Sequence, residues 1–298
     1  MIRKFIFILF ILFCYCNSNE PKETQFNNIK NIFDFYTNYS NYTDPREYAY
    51  LYKSLPDSLL ELCELIKCQF IHPVDIGSYR DIIPANRHYE DPKFQTAEKL
   101  LAGLLELDPN GLTFDRKPEN RLIVTCRYHS IFLASVLKYR HIPTRIRYGF
   151  APYLSPNKDL HFCHVICEVW NNKEERWMYV DPDRKMIDFP KIEFELPGDV
   201  WLQYQNGKIA APEKYGVASS WGDYNVLDML CHDLASVLGE ELLYWERPTI
   251  STNESIGKLE KEKVEILDQI SLLRKNPDDH LNEIRDIYDK YDFLQYNN

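Results

Sequence analysis

The sequence predicts an α+β fold, in which one helix packs on an antiparallel sheet and further helices lie before and after this core. Three observations support this prediction. Apolar residues recur at helical spacing over residues 57–70 and 96–107. From Cys126 onward, another helical pattern is followed by three strand-like segments within residues 144–180. Residues 251–298 then return to helical spacing, with a strong turn in the middle.

The composition supports a folded, acidic protein. The chain has 298 residues, of which 45% are hydrophobic and 14% aromatic, so it has enough apolar material for a large core and is not a disordered chain. Its formal net charge is 35 − 45 = −10. Because a surface that neutralises phosphates normally shows a basic surplus, we expect no nucleic-acid partner.

The first residues have the layout of an export signal. Arg3-Lys4 precedes a short apolar run over residues 5–16, which is too short to cross a bilayer comfortably. We therefore predict that residues 1–16 are a signal peptide or a lipoprotein signal. Cys14 and Cys16 end the run, and lipid attachment to one of them would tether the protein to a membrane. The expected location is outside the cytoplasm, periplasmic or membrane-anchored, with a cytoplasmic protein as the alternative.

The segments before the core are expected to be mainly helical. Residues 17–43 are polar and show no sustained period, which indicates a tether or a loosely packed lead-in. Asp44-Pro45-Arg46-Glu47 has the residues of a capping box and predicts a helix start. With the helices over residues 57–70 and 96–107, this gives a helical N-terminal part over residues 44–118.

Residues 119–250 form the predicted core. A short apolar lead at residues 122–124 runs into a helix that opens at Cys126 and ends before Pro143. Three strands and one hairpin turn follow, at residues 144–150, 162–170 and 176–180, with the turn at 171–175.

The C-terminal residues 251–298 are predicted to form a helical hairpin. Asn276-Pro277-Asp278-Asp279 ends one helix and caps the next. The apolar positions of the two helices repeat at helical spacing, at Leu259, Ile266, Ile270, Leu273, Leu281, Ile284, Tyr288 and Tyr291.

Three residues of the core have the types and the order of a cysteine-based catalytic site. Cys126 opens a helix, and the helix N-terminus together with a nearby imidazolium favours a thiolate. His164 lies on a following strand and is suited to move a proton, whereas Asp181, at the end of the adjacent strand, is suited to orient the imidazole. The backbone amide of Cys126 is the expected donor to an oxyanion.

Other residues near these three have weaker positions. His161 is the reserve base, since it lies three residues before His164. Asp183 could replace Asp181 as the orienting acid, because both residues follow the same strand with equal facing. His129, one turn after the helix start, is interpreted as structural.

The cysteines predict neither a metal site nor a defined disulfide framework. Cys163 and Cys167 point to the strand face opposite His164, and no pair of cysteines has zinc-ligand spacing. Cys63 and Cys68 point to different faces of one helix and cannot bridge each other. Other pairings stay open. The sequence also has no glycine-rich phosphate loop, and we expect no cofactor.

The core segments together resemble the transglutaminase-like superfamily, whose members have a papain-like Cys-His-Asp core. The resemblance is close from Arg121 to Asp183 and extends through Trp245. It is carried by Thr125-Cys126-Arg127-Tyr128-His129-Ser130, His141-Ile142-Pro143-Thr144-Arg145-Ile146-Arg147-Tyr148-Gly149-Phe150, His164 with Glu168-Val169-Trp170, and Arg176-Trp177-Met178-Tyr179-Val180-Asp181.

The resemblance implies a cysteine enzyme that forms a thioester between Cys126 and the carbonyl of a peptide or carboxamide. Hydrolysis, as in a protease or amidase, is favoured over transamidation, because water needs no second binding site. The calcium dependence of animal transglutaminases is not expected, since the sequence has no oxygen-ligand loop. The expected partner is a protein or peptide substrate, and the oligomeric state stays open. The alternative is a catalytically silent binding or scaffold module, with the C-terminal hairpin as its partner surface.

Overall fold

A computed structural model describes residues 31–209, 211–253 and 256–296 and has an α+β fold. The predicted signal at residues 1–16 lies outside the described residues. A large apolar core joins residues from Tyr36 to Leu294.

The helices lie before, within and after the sheet region. They are α1 (Ile32–Thr37), α2 (Leu59–Gln69), α3 (Ala97–Leu107), α4 (Cys126–Tyr139), α5 (Pro197–Gln205), α6 (Asp223–Val237), α7 (Thr249–Asn253), α8 (Lys261–Leu273) and α9 (Pro277–Lys290). The strands are β1 (Phe70–Ile71), β2 (Leu122–Ile123), β3 (Thr144–Ala151), β4 (His161–Asn171), β5 (Arg176–Asp181), β6 (Met186–Ile187), β7 (Tyr215–Val217) and β8 (Ser220–Trp221).

The main sheet is built around the long strand β4. Strand β3 pairs antiparallel with β4 along residues 162–169. On the other edge, β5 pairs antiparallel with residues 167–171 and β7 pairs parallel with residues 161–162. Within the described ranges, residues 163–166 have no strand partner on that edge, so His164 lies where the sheet is open.

The expectation of a wholly antiparallel sheet is therefore wrong, because the sheet is mixed. The chain leaves β6, passes through α5 and returns to β4 as β7, and such a crossover allows parallel pairing. A second, separate pair joins β1 and β2 in parallel. These strands contain only two or three residues each, too few to show an alternating pattern in the sequence.

Helix α4 is the central helix. All of its residues from Cys126 to Lys138 are buried, because the sheet lies on one side of it and α2 and α3 lie on the other. The predicted start of this helix at Cys126 and its end before Pro143 are both confirmed.

The helical spans predicted on either side of α4 agree with the structure in most places. Helices α2 and α3 begin at their Ser58 and Thr96 caps, whose side chains accept from Glu61 and Lys99 amides at 3.5 and 3.2 Å. The helix predicted to start at residues 44–47 is a 3-10 helix, Arg46–Ser54, and no α-helix forms there.

The lead-in before the first predicted helix is not a loose tether over its described part, residues 31–43. Helix α1 begins after the Asn31 cap and buries Tyr36 against the core, where the Tyr36 hydroxyl donates to the Val237 carbonyl at 2.9 Å. Phe33 of the same helix packs on Trp170, with 4.5 Å between ring centroids, so aromatic contacts with the core hold this short helix although its sequence shows no sustained apolar period.

The predicted C-terminal hairpin is confirmed as helices α8 and α9. It is packed on the rest of the molecule, since Arg274 forms an ion pair with the buried Asp233 of α6. Asp278, in the first turn of α9, accepts from Arg145 of β3 at 2.5 Å and from the Trp177 indole of β5 at 2.6 Å. Of the helices that the structure describes, none is both long and apolar enough to span a bilayer.

Candidate active site

The first turn of α4 holds Cys126 in a fixed position. Thr125 is the N-cap residue, and its amide and hydroxyl donate to the two carboxylate oxygens of Asp91 at 3.0 and 2.7 Å. Burial raises the pKa of Asp91 to about 6, although both hydrogen bonds from Thr125 oppose the rise. The amide of Cys126 lies in the helix N-terminal turn, where no intrahelical acceptor is available, and so it is positioned to bind an anion.

His164 and Asp181 form a hydrogen-bonded pair across neighbouring strands, as the sequence predicts. The His164 Nε2 and Asp181 Oδ2 atoms are 2.8 Å apart, and both side chains are buried. Because Nε2 is used by the carboxylate, Nδ1 is the ring nitrogen that remains for Cys126. Asp181 also accepts from the Tyr153 hydroxyl at 2.6 Å and from the amides of Asp183 and Arg184 at 2.9 and 3.0 Å.

The electrostatics of these groups favour an ion pair between sulfur and imidazole. Burial alone would raise the pKa of the Cys126 thiol, but the charge of His164 and hydrogen bonds from His164 and His72 lower it to about 5. Burial would lower the pKa of His164, yet Asp181 and Cys126 hold it well above its ordinary value. Despite burial, His164 also keeps the pKa of Asp181 below its usual range. The expected state at neutral pH is thus thiolate, imidazolium and carboxylate.

A cavity of about 560 Å³ lies beside the sulfur and the imidazole. Much of its lining is apolar, including Leu154, Phe162 and Met229, whereas Arg184 and Arg247 also line it with side chains that are more than a third exposed. Cys126 itself is 5% exposed. The sulfur is therefore buried but borders a space in which a substrate could lie.

His161, the reserve base, is occupied elsewhere. Its Nδ1 atom is hydrogen-bonded to Glu195, and its ring stacks on Tyr215 with 4.2 Å between centroids. The structure therefore brings His164, and not His161, to Cys126.

Asp183 and His129 lie behind the site and belong to a different set of contacts. Asp183 accepts from Lys67 at 2.7 Å and lies 3.7 Å from the buried His129 ring. Burial lowers the pKa of His129 to about 3, and its Nδ1 atom is bonded to the Thr125 carbonyl at 3.0 Å. This placement agrees with the structural interpretation of His129, and it leaves Asp181 as the partner of His164.

Two residues near the sulfur were not found from the sequence. The Tyr244 hydroxyl lies 3.4 Å from the Cys126 sulfur, and His72 lines the same cavity as the sulfur and lowers the pKa of the Cys126 thiol. Tyr244 lies in the loop after α6, and His72 follows the two-residue strand β1. Neither has a spacing from Cys126 that would indicate contact, so only the folded structure reveals them.

The described cysteines and acidic residues hold no evident metal or disulfide. All six cysteines from Cys63 to Cys231 are free thiols. Across the described ranges, no group of three His, Cys, Asp or Glu side chains is arranged to bind a metal ion.

The fold and the site define an α+β protein with a Cys-His-Asp row beside a partly apolar cavity. Comparisons of the chain with protein-family models, curated proteins and solved structures find no match. The resemblance to the transglutaminase-like superfamily therefore depends on the residues and motifs quoted above.

Proposed function

We propose that this protein is a transglutaminase-like cysteine enzyme with a papain-like core, which acts on peptide or carboxamide bonds through a thioester on Cys126. One observation carries the proposal. Cys126, at the start of a buried helix, lines one cavity with His164, whose ring is hydrogen-bonded to Asp181 and whose charge lowers the pKa of the Cys126 thiol.

The proposed reaction has two steps. The Cys126 thiolate attacks the substrate carbonyl carbon, and the Cys126 amide donates to the oxyanion that forms. The oxyanion collapses to a thioester as the C–N bond breaks, and the His164 imidazolium gives its proton to the leaving amine. Neutral His164 then takes a proton from water as the water oxygen attacks the thioester; the C–S bond breaks, a carboxylic acid leaves, and the Cys126 thiolate and His164 imidazolium are restored.

Hydrolysis is favoured over transamidation as the second step. An amine in place of water would give transamidation by the same chemistry, but it would need its own binding site beside the thioester. Protein or peptide is the expected substrate, because the cavity of about 560 Å³ is large enough to accept side chains around the attacked carbonyl.

The test is incubation of the full protein with a peptide library, with and without a small primary amine. Intact-mass measurement is expected to show an acyl adduct on Cys126, together with cleaved or deamidated products, and Cys126→Ala is expected to show neither. Amine-modified peptides as the main product would assign transamidation. Equal inactivity of wild type and Cys126→Ala on all substrates would support a silent scaffold module instead.

We further propose that residues 1–16 direct export, either as a signal peptide or as a lipoprotein signal that ends at Cys16. This proposal rests on the basic start and the short apolar run, which lie outside the described residues. The mass of the mature N-terminus from expressing cells tests it. An N-terminus at Met1 on the mature chain would contradict it.

A further inference from the structure

His72 lies at the cavity beside Cys126 and is held in a constrained geometry. It follows β1 and is the N-cap of the 3-10 helix Pro73–Tyr79, where its Nδ1 atom accepts from the Val74 amide at 3.2 Å. It lines the same cavity as Cys126.

This cap determines which ring nitrogen of His72 carries the proton. Because Nδ1 accepts from an amide, the proton of the neutral ring is on Nε2, and a second proton on Nδ1 would break the contact with Val74. Nε2–H is therefore the group of His72 that is free to donate a hydrogen bond in the cavity that Cys126 also lines. Among the residues that the structure describes, no carboxylate is hydrogen-bonded to this ring as Asp181 is to His164, so His72 is suited to donate a hydrogen bond and poorly suited to move a proton.

The backbone around His72 is held against the start of α4. The preceding residue, Ile71, pairs with Ile123 in the parallel ladder, and its carbonyl accepts from the Val124 amide at 3.1 Å. Val124 lies two residues before Cys126, so this pairing fixes His72 relative to the N-terminus of α4. A donor held in this way needs no rearrangement when charge develops on the substrate.

We propose that His72 is a catalytic residue of this site and supplies, through Nε2–H, the second hydrogen bond to the oxyanion beside the Cys126 amide. The assignment rests on the proposed function. It gives the two histidines separate roles: His164 transfers the proton, whereas His72 donates a hydrogen bond that stabilises the negative oxygen while the thioester forms.

Two substitutions separate this role from a purely structural one. His72→Asn keeps an acceptor for the Val74 amide, since Asn is a good N-cap, but its side chain is too short to donate at the Nε2 position. His72→Gln places an amide N–H near the Nε2 position and weakens the cap. An oxyanion donor predicts loss in His72→Asn and rescue in His72→Gln, and a structural cap predicts the reverse.

The probe is p-nitrophenyl acetate, read as the pre-steady-state burst of nitrophenolate. The thiolate attacks the acetyl carbon, nitrophenolate leaves with the electron pair of the broken C–O bond, and water later releases acetate from acetyl-Cys126. At the high-pH plateau, where the sulfur is thiolate in every variant, we expect His72→Asn to acylate about 10²–10³-fold more slowly than wild type. His72→Gln should stay within about tenfold, as expected for a retained hydrogen-bond donor.

Several outcomes would overturn the assignment. A wild-type acylation rate in His72→Asn, together with a slow rate in His72→Gln, would mean that His72 acts only as the N-cap of the 3-10 helix. Recovery of His72→Asn at the high-pH plateau would mean that His72 only favours the thiolate. A loss confined to Tyr244→Phe, measured in parallel, would make the Tyr244 hydroxyl the donor. If wild type and Cys126→Ala show the same burst, the proposed function fails, and the role of His72 fails with it.

Discussion

Asp181 shows how completely a single buried carboxylate is tied into this site. Its oxygens accept from His164, from the Tyr153 hydroxyl and from two backbone amides. A carboxylate with this many donors stays ionised, and it orients the imidazole that faces Cys126. Asp183, two residues along the chain, accepts a hydrogen bond from Lys67, whereas His164 is hydrogen-bonded to Asp181.

The two acids should therefore respond differently to the same substitution. Asp181→Asn is expected to lower the acylation rate by about 10²–10⁴-fold and to raise the pKa of the Cys126 thiol, because the imidazolium loses its stabilising charge. Asp183→Asn, the matched control, should reduce stability and shift that pKa much less, because Asp183 is not hydrogen-bonded to His164. The pH dependence of thiol alkylation gives the Cys126 pKa in both variants. A larger shift in Asp183→Asn would make Asp183 the orienting acid.

At this scale the sequence predicts the residues whose chemistry and order are distinctive. Cys126 begins a helix, and His164 and Asp181 fall on the two strands of one hairpin, so their proximity follows from local structure. His72 and Tyr244 could not be predicted, because they reach the sulfur through a two-residue parallel pairing and through a loop after α6.

Among the elements, strand β3 is held from two sides near the site. Gly149 lies opposite His164 in the β3–β4 ladder. The neighbouring residue, Phe150, exchanges two backbone hydrogen bonds of 2.9 Å with Glu195. A Cβ atom at position 149 would lie 2.5 Å from the Glu195 carbonyl oxygen. The absence of a side chain thus allows the segment at Glu195 to approach the strand.

Gly149→Ala is expected to destabilise the fold by about 1–3 kcal/mol, because the backbone at Glu195 must move away from β3. Gly77→Ala is the matched control, since a Cβ atom there meets nothing within 4 Å. Urea unfolding of both variants gives the two free energies. If both substitutions have the same small effect, the close approach at Glu195 does not constrain the strand.

Elements with a cap and a sustained period were predictable, and very short ones were not. Apolar spacing predicted α2, α3 and α4, whereas the capping motif at residues 44–47, which no sustained period follows, precedes a 3-10 helix. In contrast, β7 has three residues, and its parallel pairing with β4 depends on the crossover through α5. Helix α1 depends on the burial of Tyr36, a tertiary contact that no local pattern contains.

For the whole molecule, the main feature is a buried ionic network that joins the sheet, α6 and the C-terminal hairpin. Glu168 accepts from both Arg145 and Arg147 at 2.7 Å, and Arg147 also donates to Asp233 of α6. Asp278 links the hairpin to Arg145. The strand over residues 144–150 was correctly predicted from its alternating pattern. The charged face of this strand is nevertheless buried under other elements, and the spacing of residues in the sequence does not show that burial.

Asp278→Ala is expected to cost about 1–3 kcal/mol, because Arg145 and the Trp177 indole each lose an acceptor at the hairpin. Asp279→Ala, in the same helical turn, is the control. It removes a similar charge near the helix N-terminus, but its side chain bonds only to the exposed Asn276 among the contacts described. Urea unfolding of both variants gives the two changes in the free energy of unfolding. Equal free-energy changes would mean that the hairpin is not stabilised through this link.

The most direct test of the whole account is the rate of iodoacetamide alkylation of Cys126 as a function of pH. The thiolate is the reactive form, so a pKa of about 5 predicts a rate that is half-maximal near pH 5 and constant at neutral pH. Burial raises the pKa of Cys63 to about 12, so that thiol should stay unmodified. A rate that rises only near pH ~8.5, as for an ordinary thiol, would contradict a Cys126–His164 ion pair and the enzyme proposed from it.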